Sequence, residues 1–332
     1  WSTAEPTVSG GCPGRRRRVS STAGARRVMA RALSASVAAA AVLAAIVCGL
    51  GALRGAAGQG EKEKIYYLGD PQIGFGKSGA AADVARFAHA AVAAVEGNAA
   101  AVVIAGDLVN IWTSQSQHKG FQSVSFGAVP VSVVPGNHDA NPNGTSSNFE
   151  TQIEQFRSTY GADYSSFTTR FATVVMVDSE ALIWEEQGGA REPPNAQMRN
   201  ESETQWTWID KTLAKAEADT QRPHTLVVTH HPPFLTSPDE PVAYWNWPPK
   251  SRARFLALLG KYSVKMVMAG HTHTTTEVKT GNLLVMTTAG TARTFDGKGC
   301  GHRIVTLNAT SVTQAYVPQN DSSLIHCVGN SF

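Results

Sequence analysis

The sequence predicts an α/β domain in which two packed β-sheets are flanked by helices, and three features lead there. From Glu61 onward, short β-like runs alternate with longer runs of helical period. The short runs close repeatedly on polar, glycine-bearing turns, where α/β sheets gather their ligands. Beyond Gly270 the residues alternate as in an antiparallel meander. The 332 residues exceed one average domain, yet no repeat period or low-complexity linker divides the chain after residue 58. One two-sheet domain over residues 59–332 therefore absorbs the length.

Residues 1–58 stand apart as a leader. Arg15 to Arg18 are basic, Met29 is the expected start, Ser36 to Leu53 are rich in Ala and Val, and small residues follow at Gly55 to Gly58. That order is the pattern of a secretory signal peptide. The alternatives are organelle targeting or a membrane anchor, since the apolar stretch approaches the ~20 residues that cross a bilayer. Its alanines and glycines make it weakly hydrophobic, which favours cleavage. The expectation is a chain secreted or held in the secretory lumen, without stable membrane insertion; the alternative is a signal-anchored membrane protein.

Within the domain, Lys64 to Gly69 reads as a strand and Ala80 to Glu96 as an alanine-rich helix. Ala101 to Ala105 is a buried strand closing on Gly106-Asp107, and Val129 to Val134 another, closing on Pro135 to Asp139. A helix near Phe149 to Tyr160 precedes two antiparallel strands, Ser165 to Phe171 and Thr173 to Asp178. Trp206, Ile209 and Leu213 share one face of a helix from Thr204 to Ala218. Strand Thr225 to Thr229 then runs into His230-His231-Pro232-Pro233, and helix Arg252 to Tyr262 leads to strand Val264 to Ala269 and Gly270-His271-Thr272-His273. The meander comprises Thr274 to Lys279, Leu283 to Thr288, His302 to Leu307 and Ser311 to Val317.

Eight of the 29 basic residues and one of the 26 acidic residues precede Gln59. The 21 basic and 25 acidic residues that remain make the domain mildly acidic, so the overall +3 implies no nucleic-acid-binding face. Cys12 and Cys48 leave with the leader. Cys300 and Cys327 remain to form one disulfide tying the C-terminal tail to the Cys300 loop, two buried thiols being the alternative. Sequons at Asn143, Asn200, Asn308 and Asn320 are compatible with a secreted glycoprotein.

The chemistry lies in a positional pattern. Five apolar strands each end in a metal-competent side chain: Asp70, Asp107, Asn137, His230, and the pair His271 and His273. Carboxylate, amide oxygen and imidazole together suit manganese, iron, zinc or magnesium. Six such donors exceed what one ion takes while keeping positions open, and two divalent ions sharing a carboxylate would use them all. Singly, Gly106-Asp107 could be a turn with a capping acid, Asn137 and Asp139 turn formers, and His271 and His273 alternate residues of an edge strand.

The blocks GDPQ, GDLVN, GNHD, THHPP and GHTH, in this order from Tyr66 to about Val317, resemble the calcineurin-like metallophosphoesterases. The DPQ triplet and the stretch HHPPFLTSPDEPVAYWNWP are similar to the branch of calcineurin-like phosphoesterase domain-containing protein 1. The resemblance implies a four-layer αββα sandwich of two mixed β-sheets flanked by helices, with a dinuclear site at one edge. It implies that Asp70 and His273 hold the first metal, that Asn137, His230 and His271 hold the second, and that Asp107 bridges them. His138 would stand beside the metals, oriented by Asp139. Gln72 departs from the family pattern, which has a histidine there, so the first metal should be bound more weakly or Gln72 should stay behind the ligands. Asn110 occupies the place of the tyrosine of purple acid phosphatases, which argues against a ferric-tyrosinate site.

The expected reaction is hydrolysis of a phosphate ester by metal-activated hydroxide attacking in line, with His138 protonating the departing alkoxide or, alternatively, only pinning its loop. His231 is expected either to support a ligand or to face solvent. Tyr244 to Trp247 form an aromatic insert that walls the cleft, with Asn246 near the phosphate, or that simply packs. Phosphomonoesters are the expected substrates, either phosphoserine and phosphothreonine proteins or small organic phosphates. A phosphodiesterase or nucleotidase, or a catalytically faded metal-binding scaffold marked by Gln72, are the alternatives. Neither the oligomeric state nor the metal's identity follows from the sequence.

Overall fold

The computed structural model describes residues 60–140, 146–183, 195–319 and 327. The leader with Met29, Cys12 and Cys48, and the sequons at Asn143 and Asn320, lie outside them. In chain order the elements are β1 (Glu63–Leu68), α1 (Ala80–Glu96), β2 (Ala101–Ile104), α2 (Gln115–Gln122), β3 (Val131–Val133), α3 (Asn137–Ala140), α4 (Ser146–Tyr160), β4 (Ser165–Thr168), β5 (Ala172–Val177), α5 (Ser179–Ile183), α6 (Ala196–Glu217), β6 (His224–Thr229), α7 (Pro249–Lys261), β7 (Met266–Ala269), β8 (Glu277–Thr280), β9 (Leu283–Thr287), β10 (Gly301–Leu307) and β11 (Val312–Pro318).

The strands form two mixed sheets, ordered β11-β10-β1-β2-β3 and β4-β5-β6-β7-β9-β8. In the first, β1, β2 and β3 run parallel, and β10 and β11 extend it antiparallel. In the second, β5, β6, β7 and β9 run parallel between antiparallel edges β4 and β8. The inner faces meet in one apolar core, with Ile65, Tyr67, Val103 and Val305 opposing Val174, Met176, Leu226 and Met268. On the outer face of the second sheet, Trp206, Ile209 and Leu213 of α6 and Phe255 and Leu259 of α7 cover Val175, Val227 and Val267. On the outer face of the first, Phe87, Ala90 and Ala94 of α1 cover Tyr66, Val102 and Ile104. The expected αββα layering is thus observed, each sheet hidden on both faces as parallel strands require.

Two expectations are corrected. The meander beyond Gly270 is two hairpins in different sheets: β8 and β9 join the second, while β10 and β11 cross over to the first. Alternation fixes a strand's two faces but not its neighbour, so the crossing between β9 and β10 is invisible in the pattern. Helix α6 starts at Ala196 rather than Thr204, because the Asn195 side chain caps it by accepting the Met198 N–H at 2.8 Å. Helix α2, which is polar with few apolar residues to mark a period, was not expected.

Tyr67 ties the sheets together near the candidate site. Its hydroxyl crosses the core and donates to the Ala269 carbonyl at the end of β7. Cys300 and Cys327 form the expected disulfide, with Cα atoms 5.5 Å apart.

Candidate metal centre

Every expected ligand sits just beyond a strand, on a loop or, for Asn137, at the start of α3. Asp70, Gln72, Asp107, His271 and His273 all have φ between 31° and 66°, the left-handed region that costs energy for residues other than glycine. Among the described residues they are five of the seven non-glycine residues with positive φ, so the strain concentrates where β1, β2 and β7 end. Backbone bonds hold the loops: the Gln72 N–H donates to the Asp107 carbonyl at 2.7 Å, and Gly270 N–H to the His230 carbonyl at 2.9 Å. Gly270 must be glycine, since a Cβ there would lie 2.6 Å from the Ala105 carbonyl and 2.7 Å from Asp70 Oδ2.

The imidazoles are locked by one rule. His230 Nδ1 meets the Ala105 carbonyl at 2.7 Å, His273 Nδ1 the Arg293 carbonyl at 2.8 Å, and His271 Nε2 the Tyr244 carbonyl at 3.1 Å. A carbonyl can only accept, so each of these nitrogens carries the proton and the other ring nitrogen keeps its lone pair for a ligand. His230 Nε2 lies 3.1 Å from Asn137 Oδ1 and 3.4 Å from Asp107 Oδ1, and His273 Nε2 lies 3.6 Å from Asp70 Oδ1. Ligand atoms of Asp70, Asp107 and His230 all fall within 4.8 Å of one another, as do those of His230, His231 and His271.

The electrostatics suit a multivalent cation. Burial, then the neighbouring Asp107, pushes the Asp70 carboxyl well above the usual carboxylate range, against two donations from the His271 N–H. Burial, then the nearby imidazoles His231 and His230, takes His271 well below an ordinary histidine, and burial brings His273 down to about 4. Neutral rings are the form that binds divalent metals, and a cation beside Asp70 would draw its carboxyl back to the charged form. Gln72 adds a buried amide oxygen without a hydrogen-bond partner, while its Nε2 reaches Asn110 Oδ1 at 3.4 Å. The donor set fits divalent metal ions.

His138 is half-buried beside these groups, its N–H on Asp107 Oδ1 at 2.9 Å. Its orientation differs from expectation. His138 Nδ1 meets the Asn110 carbonyl at 2.8 Å, whereas the Asp139 carboxylate accepts the N–H groups of Leu108, Val109 and Gly136, at 2.9 to 3.4 Å. Asp139 therefore clamps the Asp107 loop to the Asn137 loop and does not orient His138, because backbone donors surround its oxygens. Asn246 is also corrected. Its Oδ1 accepts the Ala243 N–H and its Nδ2 donates to Glu240 and to the Pro241 carbonyl, so the amide is consumed by its own loop and does not reach toward substrate.

The aromatic insert divides. Trp247 is buried against Trp206 and Phe255, while the Tyr244 and Trp245 rings lie 4.8 and 5.5 Å from the His271 ring. His231 is fully buried: its ring lies 3.8 Å from that of His271, and its Nδ1 is 2.6 Å from Glu180 Oε1. Sequence reasoning missed Glu180, although Asp178-Ser179-Glu180 after β5 repeats the signal of acids beyond an apolar strand.

The model of the calcineurin-like phosphoesterase family matches residues 63–275. A protein named Serine/threonine-protein phosphatase CPPED1 in Mus musculus is 27% identical over 228 residues, 67% of this chain and 68% of that one. Its Rattus norvegicus counterpart is 27% identical over 195 residues, 59% of this chain and only 58% of that one. The purple acid phosphatase PPD1 from yellow lupin (Lupinus luteus) seeds shares the fold, with a TM-score of 0.58 at 15% identity over 82% of this chain and 55% of that one.

Proposed function

Because the chain belongs to the calcineurin-like phosphoesterase family and is a metal-dependent phosphoesterase, we propose that it hydrolyses phosphomonoesters at a two-ion centre. In this reading Asp70 and His273 hold one ion, with the Gln72 oxygen beside it, and Asn137, His230 and His271 hold the other; Asp107 is shared. The observation that carries it is the tautomer lock, three imidazoles each fixed by a carbonyl at one nitrogen while Asp70, Asp107 and Asn137 crowd the same edge. When bound, two divalent ions supply an activated water and neutralise charge on the phosphate.

The chain's own residues position and move protons. Asp139 keeps the Asp107 and Asn137 loops in register. His138, held at Nδ1 by Asn110, keeps Nε2 for the departing alkoxide. Burial pulls the His138 imidazole down, but Asp107, the Asn110 carbonyl and Asp139 outweigh it and raise its pKa, which suits a proton donor. Tyr244 and Trp245 wall one side of the site.

The name of the rodent relatives supports phosphoserine and phosphothreonine proteins as substrates, with small organic phosphates as the competing class. The Cys300–Cys327 disulfide supports an oxidising, secretory compartment as its place of work. Turnover of p-nitrophenyl phosphate with added manganese, by wild type and Asp107→Asn, tests the reaction, and bis-p-nitrophenyl phosphate tests the ester class. We expect at least a ~100-fold loss in Asp107→Asn, in line with removal of a strongly stabilising electrostatic group. Equal rates for the two proteins would sink the proposal.

A further inference from the structure

Arg293 lies in the crossing between β9 and β10. Its carbonyl is the acceptor that fixes His273, so its backbone is anchored at the site. Its guanidinium lies over two phenyl rings, Phe75 and Phe295, 4.9 Å from the centre of each. Both rings pack on the His273 imidazole, at 5.3 and 5.1 Å, and Phe75 also meets the His138 ring at 6.5 Å. A cation is thus held within two ring contacts of both the first metal's histidine and the proton donor.

Contact with aromatic faces fixes a guanidinium but uses none of its five N–H donors. Among the described residues no carboxylate pairs with Arg293, and its buried Nε has no hydrogen-bond partner. Other arginines are matched internally, Arg86 by Asp83, Arg157 by Asp163 and Arg303 by Glu277. The acid nearest in sequence is fully engaged. Asp296 Oδ2 accepts the Thr275 N–H and hydroxyl, and Oδ1 accepts the Thr294 hydroxyl and the Lys298 N–H. Arg293 is half-buried, and its buried Nε is a donor left without an acceptor, which an incoming anion supplies.

We propose that Arg293 is a specificity-determining residue whose guanidinium, steered by Phe75 and Phe295, binds an unesterified oxygen of a phosphomonoester dianion. The inference deepens the phosphomonoesterase reading and rests on it. A monoester offers three unesterified oxygens and twice the charge of a diester, which offers two, so a fixed cation beyond the metals favours the monoester.

Arg293→Ala keeps the carbonyl that fixes His273 and removes the side chain beyond Cβ, guanidinium included. With manganese present, its KM for p-nitrophenyl phosphate should rise roughly tenfold or more, the usual effect of losing a charge-assisted hydrogen bond, while kcat/KM for bis-p-nitrophenyl phosphate changes by less than about threefold. Arg293→Lys should recover part of the monoester affinity, and it also serves if the alanine variant melts early. An equal loss on both esters, or no loss on either, overturns the inference while leaving the phosphoesterase reading intact. If the wild type turns over neither ester, that reading fails separately, and inorganic phosphate binding to the manganese-loaded protein by calorimetry still decides. Equal affinity in wild type and Arg293→Ala would then overturn the role of Arg293.

Discussion

Gln72, two residues beyond Asp70, is held in a left-handed backbone with φ 31°. Its buried, partnerless amide oxygen costs on the order of 1–3 kcal/mol, an expense that a cation beside it would offset. Gln72→Ala should therefore weaken manganese binding by about tenfold, as removal of groups that support metal sites does. Equilibrium dialysis of wild type and variant measures this directly, and unchanged affinity would place Gln72 outside the metal's surroundings. At this scale the donors themselves were legible, because acids, amides and imidazoles just after apolar strands stand out. Their supports were not. The carbonyls of Asn110, Tyr244 and Arg293 belong to residues whose letters say nothing about where their backbone oxygens point. The roles of Asp139 and Asn246 are not legible in their letters because their partners are backbone N–H groups and nearby loop acceptors.

The loop after β6 shows how an element supports the site from a distance. Glu240 accepts the N–H groups of Leu235 and Thr236 at 2.9 and 2.7 Å, the Thr236 hydroxyl at 2.6 Å, and the Asn246 amide. This fold carries the Tyr244 carbonyl to His271. Burial opposes the charge on Glu240, but the donors from Thr236, Asn246 and Leu235 win and lower its carboxyl from 4.5 to about 2. A carboxyl depressed in the folded state stabilises it above the unfolded pKa, and that contribution fades as pH falls from about 4.5 through about 2. Thermal melts of wild type and Glu240→Gln should therefore differ at pH 7 and converge as acid is added through that window. A gap that persists at the lowest pH would assign the difference to packing instead of charge. The elements were legible where apolar period was strong, as in β2, β6 and α6's buried stripe. They were not legible where a single cap moved a helix start, at Asn195, or where strand pairing jumped sheets after β9.

At the scale of the whole molecule, the donors come from both layers. Asp70, Asp107 and Asn137 follow β1, β2 and β3 of one sheet, and His230, His271 and His273 follow β6 and β7 of the other. Ions held among them would join the sheets at the edge where Tyr67 already bridges to Ala269. Adding manganese at about 100 times its dissociation constant should stabilise the protein by about 2.7 kcal/mol, and chelation should reverse it. Differential scanning calorimetry with and without EDTA reads the change, and an unchanged melting temperature would mean the ions bind folded and unfolded chains alike. The two-sheet layering was legible in outline, since buried runs and amphipathic helices alternate, but the sharing of one site between sheets was not, because no local pattern reports which strand ends meet. The same topology also governs how the protein is made. β1 is the first strand of the domain to leave the ribosome, and it is closed on one side by β10, with Tyr66 opposite Ile304. Until β10 has emerged, that side of β1 offers unpaired backbone groups to any neighbouring nascent chain, so the first sheet is closed only late in synthesis.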